Sequence, residues 1–290
     1  MSTVSTSRVT ASRVTGRRAW SKVGLYLALL AGAVFAAAPV VWMLSSAFKS
    51  NADIFAYPPR LIAKSFSGAS FMAVFNSPQE IRFFVNSYVV GLSVTLLTIV
   101  VAAMAAYALS RYQFRLRETL KVIIIGVQAI PPITLVIPLF GVVIALHLYN
   151  SYEGLIATYL VFTLPYSIVM MTAYFNSIPK ELDEAATIDG AGTLRTLLRV
   201  IVPLSRPGLV AVGFYAFMIS WNEYLFALTL TQTTNMRTVT VGLQLLMGQY
   251  NYQWNQIMAM SVLGCLPVVI LFLIFQRHFV GGLSSGAVKA

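Results

Sequence analysis

The sequence predicts an all-α integral membrane protein with six transmembrane helices and a cytoplasmic helical loop between helices four and five. Hydrophobic residues make up 58% of its 290 residues and charged residues only 10%, against about 25% charged residues in a typical soluble domain. The apolar residues fall into six long runs, as spans of a bilayer require. The most polar helical stretch, at 180–203, lies between the fourth and fifth runs.

The first apolar run follows a basic N-terminal tail. Residues Gly24 to Ala47 carry no charge, and this run is longer than the 7–15 apolar residues that are typical of a signal peptide. A short AVFAAAP segment resembles a cleavage site only weakly. We therefore expect an uncleaved first transmembrane helix, preceded by a disordered tail at 1–23.

The remaining spans follow in order, separated by polar or proline-rich segments. They are predicted at 85–109, 120–146, 154–175, 206–230 and 257–276. Pro131, Pro132 and Pro138 lie in the third span, and proline removes a backbone hydrogen bond, so this helix should be kinked or interrupted. The six helices then form one domain at 24–280, followed by a cytoplasmic C-terminal tail at 281–290.

The distribution of basic residues predicts the orientation. Six spans place both termini on one side, where fifteen lysines and arginines lie, against five on the other side. Because basic residues are enriched on the cytoplasmic side of membrane proteins, both termini and the 180–203 stretch should be cytoplasmic. The same reasoning explains the net charge of +11 without nucleic acid.

Cysteine, histidine and glycine patterns provide no catalytic or metal site. The single cysteine, Cys265, excludes an intrachain disulfide, and no Cys/His spacing is typical of a metal site. His147 and His278 lie at the ends of spans. The sequence has no G-x-x-x-x-G-K-[ST] phosphate-binding loop, so the chain is not expected to be an enzyme or to bind a cofactor itself.

The 180–203 stretch combines two helical segments with a glycine turn. Four of the nine acidic residues lie in its first ten positions, and Ser177 is the expected cap of its first helix. Gly190 and Gly192 should end or bend that helix. An amphipathic helix bound to lipid headgroups is the alternative, but such helices are rich in lysine and arginine. Docking of another protein is therefore favoured.

The spacing within this stretch resembles a known motif. Glu184-Ala185-Ala186, three residues, Gly190, nine residues and then Val200-Ile201-Val202-Pro203 is similar to the EAA-x3-G-x9-I-x-L-P loop of permease subunits of bacterial ABC importers. Valine replaces isoleucine and leucine at two positions. The six spans and the C-terminal QRHFVGGLSSGAVKA resemble the maltose-type (MalG-like) carbohydrate permeases.

This resemblance implies a function and a set of partners. The 180–203 stretch would be a coupling helix that docks on an ATPase subunit, through Glu184, Ala185, Ala186, Asp189, Gly190, Arg195 and Pro203. Two ATP-binding cassette subunits would bind ATP and Mg. A second homologous permease and an extracytoplasmic solute-binding protein would complete the importer in the bacterial cytoplasmic membrane. The cargo would be a sugar or oligosaccharide.

Glu223 is the only charged residue well inside a predicted span. Such residues are costly in a bilayer and usually face a cavity or a partner. We predict that Trp221, Asn222, Glu223 and Tyr224 line the translocation path or its gate, with the aromatic rings stacking on a sugar. Packing within the bundle is the alternative for each of them.

The segment at 231–256 is polar and aromatic, and its GQYNYQWNQ run carries no charge. An aromatic belt at the membrane interface is one explanation. The resemblance implies the other, namely contact of Gln249, Tyr250, Tyr252 and Trp254 with the solute-binding protein.

Three rival functions remain open at this point. The importer could carry glycerol phosphate or a polyol instead of a sugar. An ion-coupled secondary transporter could use Glu223 as its ion or proton site, although inverted repeats are not evident. A membrane scaffold without transport is the third.

Overall fold

The computed structural model describes residues 11–62, 66–247 and 253–286, with side chains for 22–62, 66–247 and 253–276. The α-helices in these ranges are α1 (Ala11–Ala47), α2 (Asn51–Ile54), α3 (Ala69–Asn76), α4 (Pro78–Arg111), α5 (Arg117–Val127), α6 (Val136–Ala145), α7 (Tyr152–Asn176), α8 (Glu181–Ile188), α9 (Thr193–Thr196), α10 (Val202–Leu204), α11 (Arg206–Asn222), α12 (Leu225–Leu230), α13 (Val239–Leu245) and α14 (Trp254–Gly286). Short 3₁₀ helices lie at Pro132–Leu135 and Thr234–Met236, and a π-helix at Leu197–Ile201.

Several of these helices are long and apolar enough to cross a membrane. The four that qualify among the described residues are Lys22–Ala47, Pro78–Arg111, Tyr152–Asn176 and Trp254–Gln276. Two bent pairs also qualify by length and composition. They are Arg117–Val127 with Pro132–Ala145, bent by 99°, and Thr193–Leu204 with Arg206–Asn222, bent by 85°. The protein is therefore a multi-pass membrane protein.

The third predicted span is interrupted at its prolines, as expected. The fifth differs from its prediction, because α11 ends at Asn222 and a separate helix, α12, begins at Leu225. The structure also extends α1 back to Ala11 and α14 on to Gly286. Parts of both predicted tails are thus helical, while residues 1–10 and 287–290 lie outside the described residues.

Helices α4, α7 and α11 pack together at the centre of the fold. Small residues bring their backbones close, as Ala102, Ala103 and Ala106 do on α4. The buried hydroxyls of Thr98 and Thr163 hydrogen bond across the α4–α7 contact at 2.9 Å. Helix α1 packs beside α14 and leaves the apolar face of its span exposed.

Candidate functional site

The segment between α7 and α11, residues 177–205, is called the α7–α11 loop below. Its first helix, α8, exposes Glu184, Ala185 and Asp189, while Ala186 is 9% exposed and faces inward. The three acidic residues in the first turn of α8 lie at the positive end of the helix dipole, which they stabilise. Of the seven docking residues predicted from the sequence, three lie on α8, and Asp189 and Gly190 directly follow it.

Gly190 ends α8 in a left-handed turn with φ 76°. The Gly190 N–H donates to the carbonyl of Thr187 at 3.0 Å, and the Ala191 N–H to the carbonyl of Ala186 at 2.9 Å. These two bonds form a Schellman cap, which favours glycine at the left-handed position. The predicted order of helix, glycine turn and second helix is therefore present.

The capping prediction at Ser177 is wrong. The Ser177 hydroxyl donates to the Tyr174 carbonyl at 2.7 Å and closes α7. The side chain of Arg195 on α9 is exposed, and Pro203 in α10 is half-buried.

Large apolar side chains on the α7–α11 loop are also exposed. Ile188 is 86% exposed, and three leucines in the loop are at least half exposed: Leu194, Leu198 and Leu204. Exposed apolar side chains beside polar ones are typical of a protein or membrane interaction site, and the acidic residues of α8 favour a protein. The loop thus has the chemistry of a docking surface.

Asp183 ties this loop to the end of α4. The Tyr107 hydroxyl donates to Asp183 Oδ1 at 2.8 Å, and Arg111 Nε lies 2.9 Å from Asp183 Oδ2. Tyr107 and Arg111 lie one helical turn apart, so both reach the same carboxylate. Sequence reasoning missed this contact, since the partners are more than seventy positions apart.

Glu223 lies at the break between α11 and α12, in extended backbone conformation with ψ 129°. Its carboxylate accepts the N–H groups of Phe226 at 2.8 Å and Ala227 at 2.9 Å. The Thr240 hydroxyl donates to the Glu223 carbonyl at 2.7 Å. The acidic side chain therefore caps the start of α12 and satisfies donors that would otherwise be unpaired in an apolar region.

Glu223 also lines a cavity of about 320 Å³ between the third, fourth and fifth apolar segments. The polar lining residues are Gln128, Glu223 and three tyrosines: Tyr159, Tyr166 and Tyr215. Rings of Tyr166 and Tyr215 lie 4.4 Å apart between centroids. Tyr159 is 1% exposed and lies beside the Glu223 carboxylate, yet its hydroxyl has no hydrogen bond of normal geometry within the described residues.

The neighbours of Glu223 do not share its cavity. Trp221 is buried, stacks on Phe217 and donates its indole N–H to the Gly264 carbonyl at 2.9 Å. Asn222 is exposed and donates to the carbonyl of Met218 at 2.9 Å. Tyr224 points elsewhere and donates to Gln244. Of the four residues predicted to line the path, only Glu223 lines this cavity.

The start of the predicted 231–256 segment is held by two asparagines. Asn86 donates to the carbonyls of Asn235 and Arg237, each at 2.8 Å, and accepts the Tyr152 hydroxyl at 2.6 Å. Asn150 accepts the N–H groups of Gln232 and Thr233. This part of the segment is therefore fixed to α4 and to the start of α7.

The aromatic part of that segment is only partly described. Gln249, Tyr250 and Tyr252 lie outside the described residues, and Trp254 is half-buried at the start of α14. Among the described residues, no group of three potential metal-ligating side chains comes together.

Several helices that are apolar enough to cross a membrane, an exposed acidic loop and a cavity with a few polar lining residues are the features expected of a membrane transport component. Residues 98–284 match the family of binding-protein-dependent transport system inner membrane components. This match covers more than half of the chain, and the chain belongs to that family.

Relatives in several organisms are similar over most of their length. A sulfoquinovosyl glycerol transport permease of Agrobacterium fabrum is 38% identical, over 87% of this chain and 88% of its own. A trehalose/maltose transport permease of Thermococcus litoralis is 34% identical, over 92% and 97%. A trehalose transport permease of Mycobacterium tuberculosis is 35% identical, over 88% and 93%.

Solved structures share the fold. A chain of a bacterial ABC transporter involved in import of alginate superimposes with a TM-score of 0.77 at 22% identity, covering 96% of this chain and 100% of that one. A chain of an alginate transporter in complex with an alginate pentasaccharide-bound periplasmic protein gives a TM-score of 0.62 at 15% identity, covering 90% and 94%.

Proposed function

We propose that this protein is the transmembrane permease subunit of an ABC importer for a sugar or oligosaccharide. The observation that carries the proposal is the exposed α8 helix, in which the Glu184-Ala185-Ala186 run leads into the Gly190 turn. Family membership and relatives named as sugar or sugar-conjugate permeases support it. In this proposal the four long helices, the bent pair at 117–145, and α11 with α12 form six spans. The α7–α11 loop then lies outside the membrane, and both termini are cytoplasmic.

The α7–α11 loop would then be the coupling segment that docks on one of two ATPase subunits. ATP and Mg would be bound by those subunits. When they close on ATP, the permease would open outward, and when they separate it would close outward and release solute to the cytoplasm. A second, homologous permease would complete the path. The solute would be delivered by an extracytoplasmic binding protein, consistent with the family description.

The cavity beside Glu223 is the strongest candidate for a place where this chain meets the solute. Aromatic faces and hydrogen-bonding groups together suit a sugar, which has apolar ring faces and polar edges. The volume of about 320 Å³ lies at the lower end of small-molecule pockets. Gln128 and the hydroxyl of Tyr159 would supply hydrogen bonds, and the rings of Tyr166 and Tyr215 an apolar wall.

The ion-coupled alternative places a proton or ion on Glu223. The two backbone N–H groups that its carboxylate accepts favour a structural role as a helix cap instead. Membership of a binding-protein-dependent family also favours ATP-driven import.

Purification of the tagged chain from its native membrane tests the proposal. A protein with a phosphate-binding loop should co-purify, and proteoliposomes containing the complex and its binding protein should take up trehalose or maltose only with internal ATP and Mg. Uptake that ignores ATP and follows a proton or sodium gradient would support the ion-coupled alternative. Uptake of a polyol or glycerol phosphate in place of sugars would change the proposed cargo alone.

A further inference from the structure

Few contacts connect α8 to the membrane helices. Its backbone lies closest to the turns that follow it in the chain, α9 and the π-helix. Among the residues of α8, Ala186 alone is buried. Any force applied to α8 by a docked protein must therefore reach the apolar helices through a small number of side chains.

The contact of Asp183 with α4 is the polar one among these, and it is largely shielded from water. The side chain of Arg111 is 6% exposed and that of Asp183 17% exposed, and Tyr107 is 6% exposed. Arg111 also donates through Nη2 to the Ile178 carbonyl at 3.1 Å, just before α8. Removal of one partner from a shielded ion pair leaves the other charge uncompensated, so α8 and α4 are expected to keep this contact when either of them moves.

Helix α4 continues from this contact to the opposite side of the fold. It contains no proline after Pro78 at its first turn, so no break is expected along its length. Asn86 lies about 38 Å from Arg111 along the helix axis, at about 1.5 Å per residue. There Asn86 holds Asn235 and Arg237, and the Ser87 hydroxyl accepts the N–H of Val239 at 2.9 Å.

We propose that Asp183 is a positioning residue for coupling, and that α4 carries the displacement of α8 to the outer segment at 231–239. Asp183 acts through Tyr107 and Arg111, and Asn86 and Ser87 pass the movement on at the far end of α4. This inference rests on the proposed function, since it needs an ATPase subunit docked on the α7–α11 loop.

The experiment uses the whole transporter, purified with its ATPase subunits and reconstituted in proteoliposomes. A Thr234→Cys substitution in a Cys265→Ser background places a reporter in the outer segment, where Thr234 is exposed. The labelling rate with a membrane-impermeant maleimide is measured without nucleotide and after trapping with ATP and vanadate. The ratio of the two rates reports movement of the outer segment.

Asp183→Asn removes the charge but keeps the size of the side chain. In the parent, which carries only the reporter substitutions, we expect the two labelling rates to differ threefold or more. In Asp183→Asn the ratio should be less than half of the parent value, with the amount of co-purified ATPase unchanged. Glu181→Gln is the matched control, because Glu181 is an exposed acid on the same helix, and it should keep the parent ratio. The double exchange Asp183→Arg with Arg111→Asp should recover at least half of the lost ratio.

Each other outcome overturns the inference. Equal ratios in Asp183→Asn and Glu181→Gln would exclude a coupling role for Asp183. If Asp183→Asn lowers both the amount of co-purified ATPase and the labelling ratio, Asp183 serves docking alone. A parent that binds ATPase without any change in labelling would exclude transmission to the outer segment. A parent that retains no ATPase would instead overturn the proposed function on which the inference rests.

Discussion

The α7–α11 loop and the break at Glu223 both interrupt helical segments, but they satisfy their polar groups differently. At Glu223, a carboxylate and a hydroxyl from the chain itself bond the free backbone groups. In the loop, the acidic side chains of α8 are mostly exposed, and Asp183 is the exception. At Glu223 the polar groups of the break are therefore hydrogen bonded within this chain. The α7–α11 loop instead exposes polar and apolar side chains to its surroundings.

This difference follows from the surroundings of each break. Inside an apolar region water is absent, so every backbone N–H needs a partner from the protein. Outside it, water can solvate acids and another protein can replace that water. The comparison teaches that irregular backbone near Glu223 is satisfied within this chain, whereas irregular backbone in the loop exposes groups that the proposed partner would contact.

Substitution of Gly190 by tryptophan should have the largest effect. A residue with a Cβ in the left-handed region is strained by roughly 1–2 kcal/mol, and open space around Gly190 lets the indole project from the loop. We expect at least a tenfold loss of co-purified ATPase and of uptake. Gly190→Asn is the control, because asparagine tolerates this conformation, and equal ATPase binding by the two variants would contradict the docking role.

Replacement of Ile188 by serine should weaken the partner contact without affecting the fold. Ile188 is 86% exposed, and burial of such a side chain by a partner contributes about 1.5 kcal/mol or more. Titration of the purified ATPase should show roughly tenfold weaker binding, with unchanged thermal stability of the permease. Ile62→Ser is the control at 71% exposure. Weaker binding by this control would remove the distinction between the loop and other exposed apolar sites.

Replacement of Glu223 by alanine should act on the fold first. Loss of a helix cap costs about 1 kcal/mol, so the melting temperature of the detergent-solubilised protein should fall, with slower uptake and intact ATPase association. Glu153→Ala is the control, since this acid is exposed in the first turn of α7. If Glu223→Ala keeps full stability but loses uptake, Glu223 acts on the solute and not as a cap.

Replacement of Tyr159 by phenylalanine should have only a small effect on stability. Its hydroxyl has no hydrogen bond of normal geometry within the described residues, so its removal should change the free energy of unfolding by no more than about 1 kcal/mol. Sugar uptake should fall several-fold if the hydroxyl bonds the solute. Tyr26→Phe, on an exposed part of α1, should leave both unchanged. Unaltered uptake in Tyr159→Phe would remove this hydroxyl from the proposed path.

Local chemistry was sufficient for several features of the prediction. Prolines at 131 and 132 remove backbone donors wherever they lie, and the third segment is bent by 99° beside them. Gly190 permits a left-handed turn that other residues resist, and the helix ends there. In both cases the cause lies within one or two residues, so a pattern in the sequence can reveal it.

Features that depend on distant partners were not predictable in the same way. Apolar length suggested one helix at 206–230, but the helix is interrupted at Glu223, whose carbonyl accepts the hydroxyl of Thr240 on α13. Trp221, beside it in sequence, faces Gly264 and not the cavity. Sequence proximity does not fix the direction of a side chain once the helix between neighbours is broken.

The sequence by itself determined that the chain is an apolar, helical membrane protein with an acidic helix and a glycine turn between two apolar segments. Composition, helix period and turn chemistry are local properties, so they can be read along the chain. Only the tertiary structure decided that Asp183 meets Tyr107 and Arg111, and that Glu223 shares a cavity with Tyr159. Those contacts depend on how α4, α7 and α11 pack, which no single segment specifies.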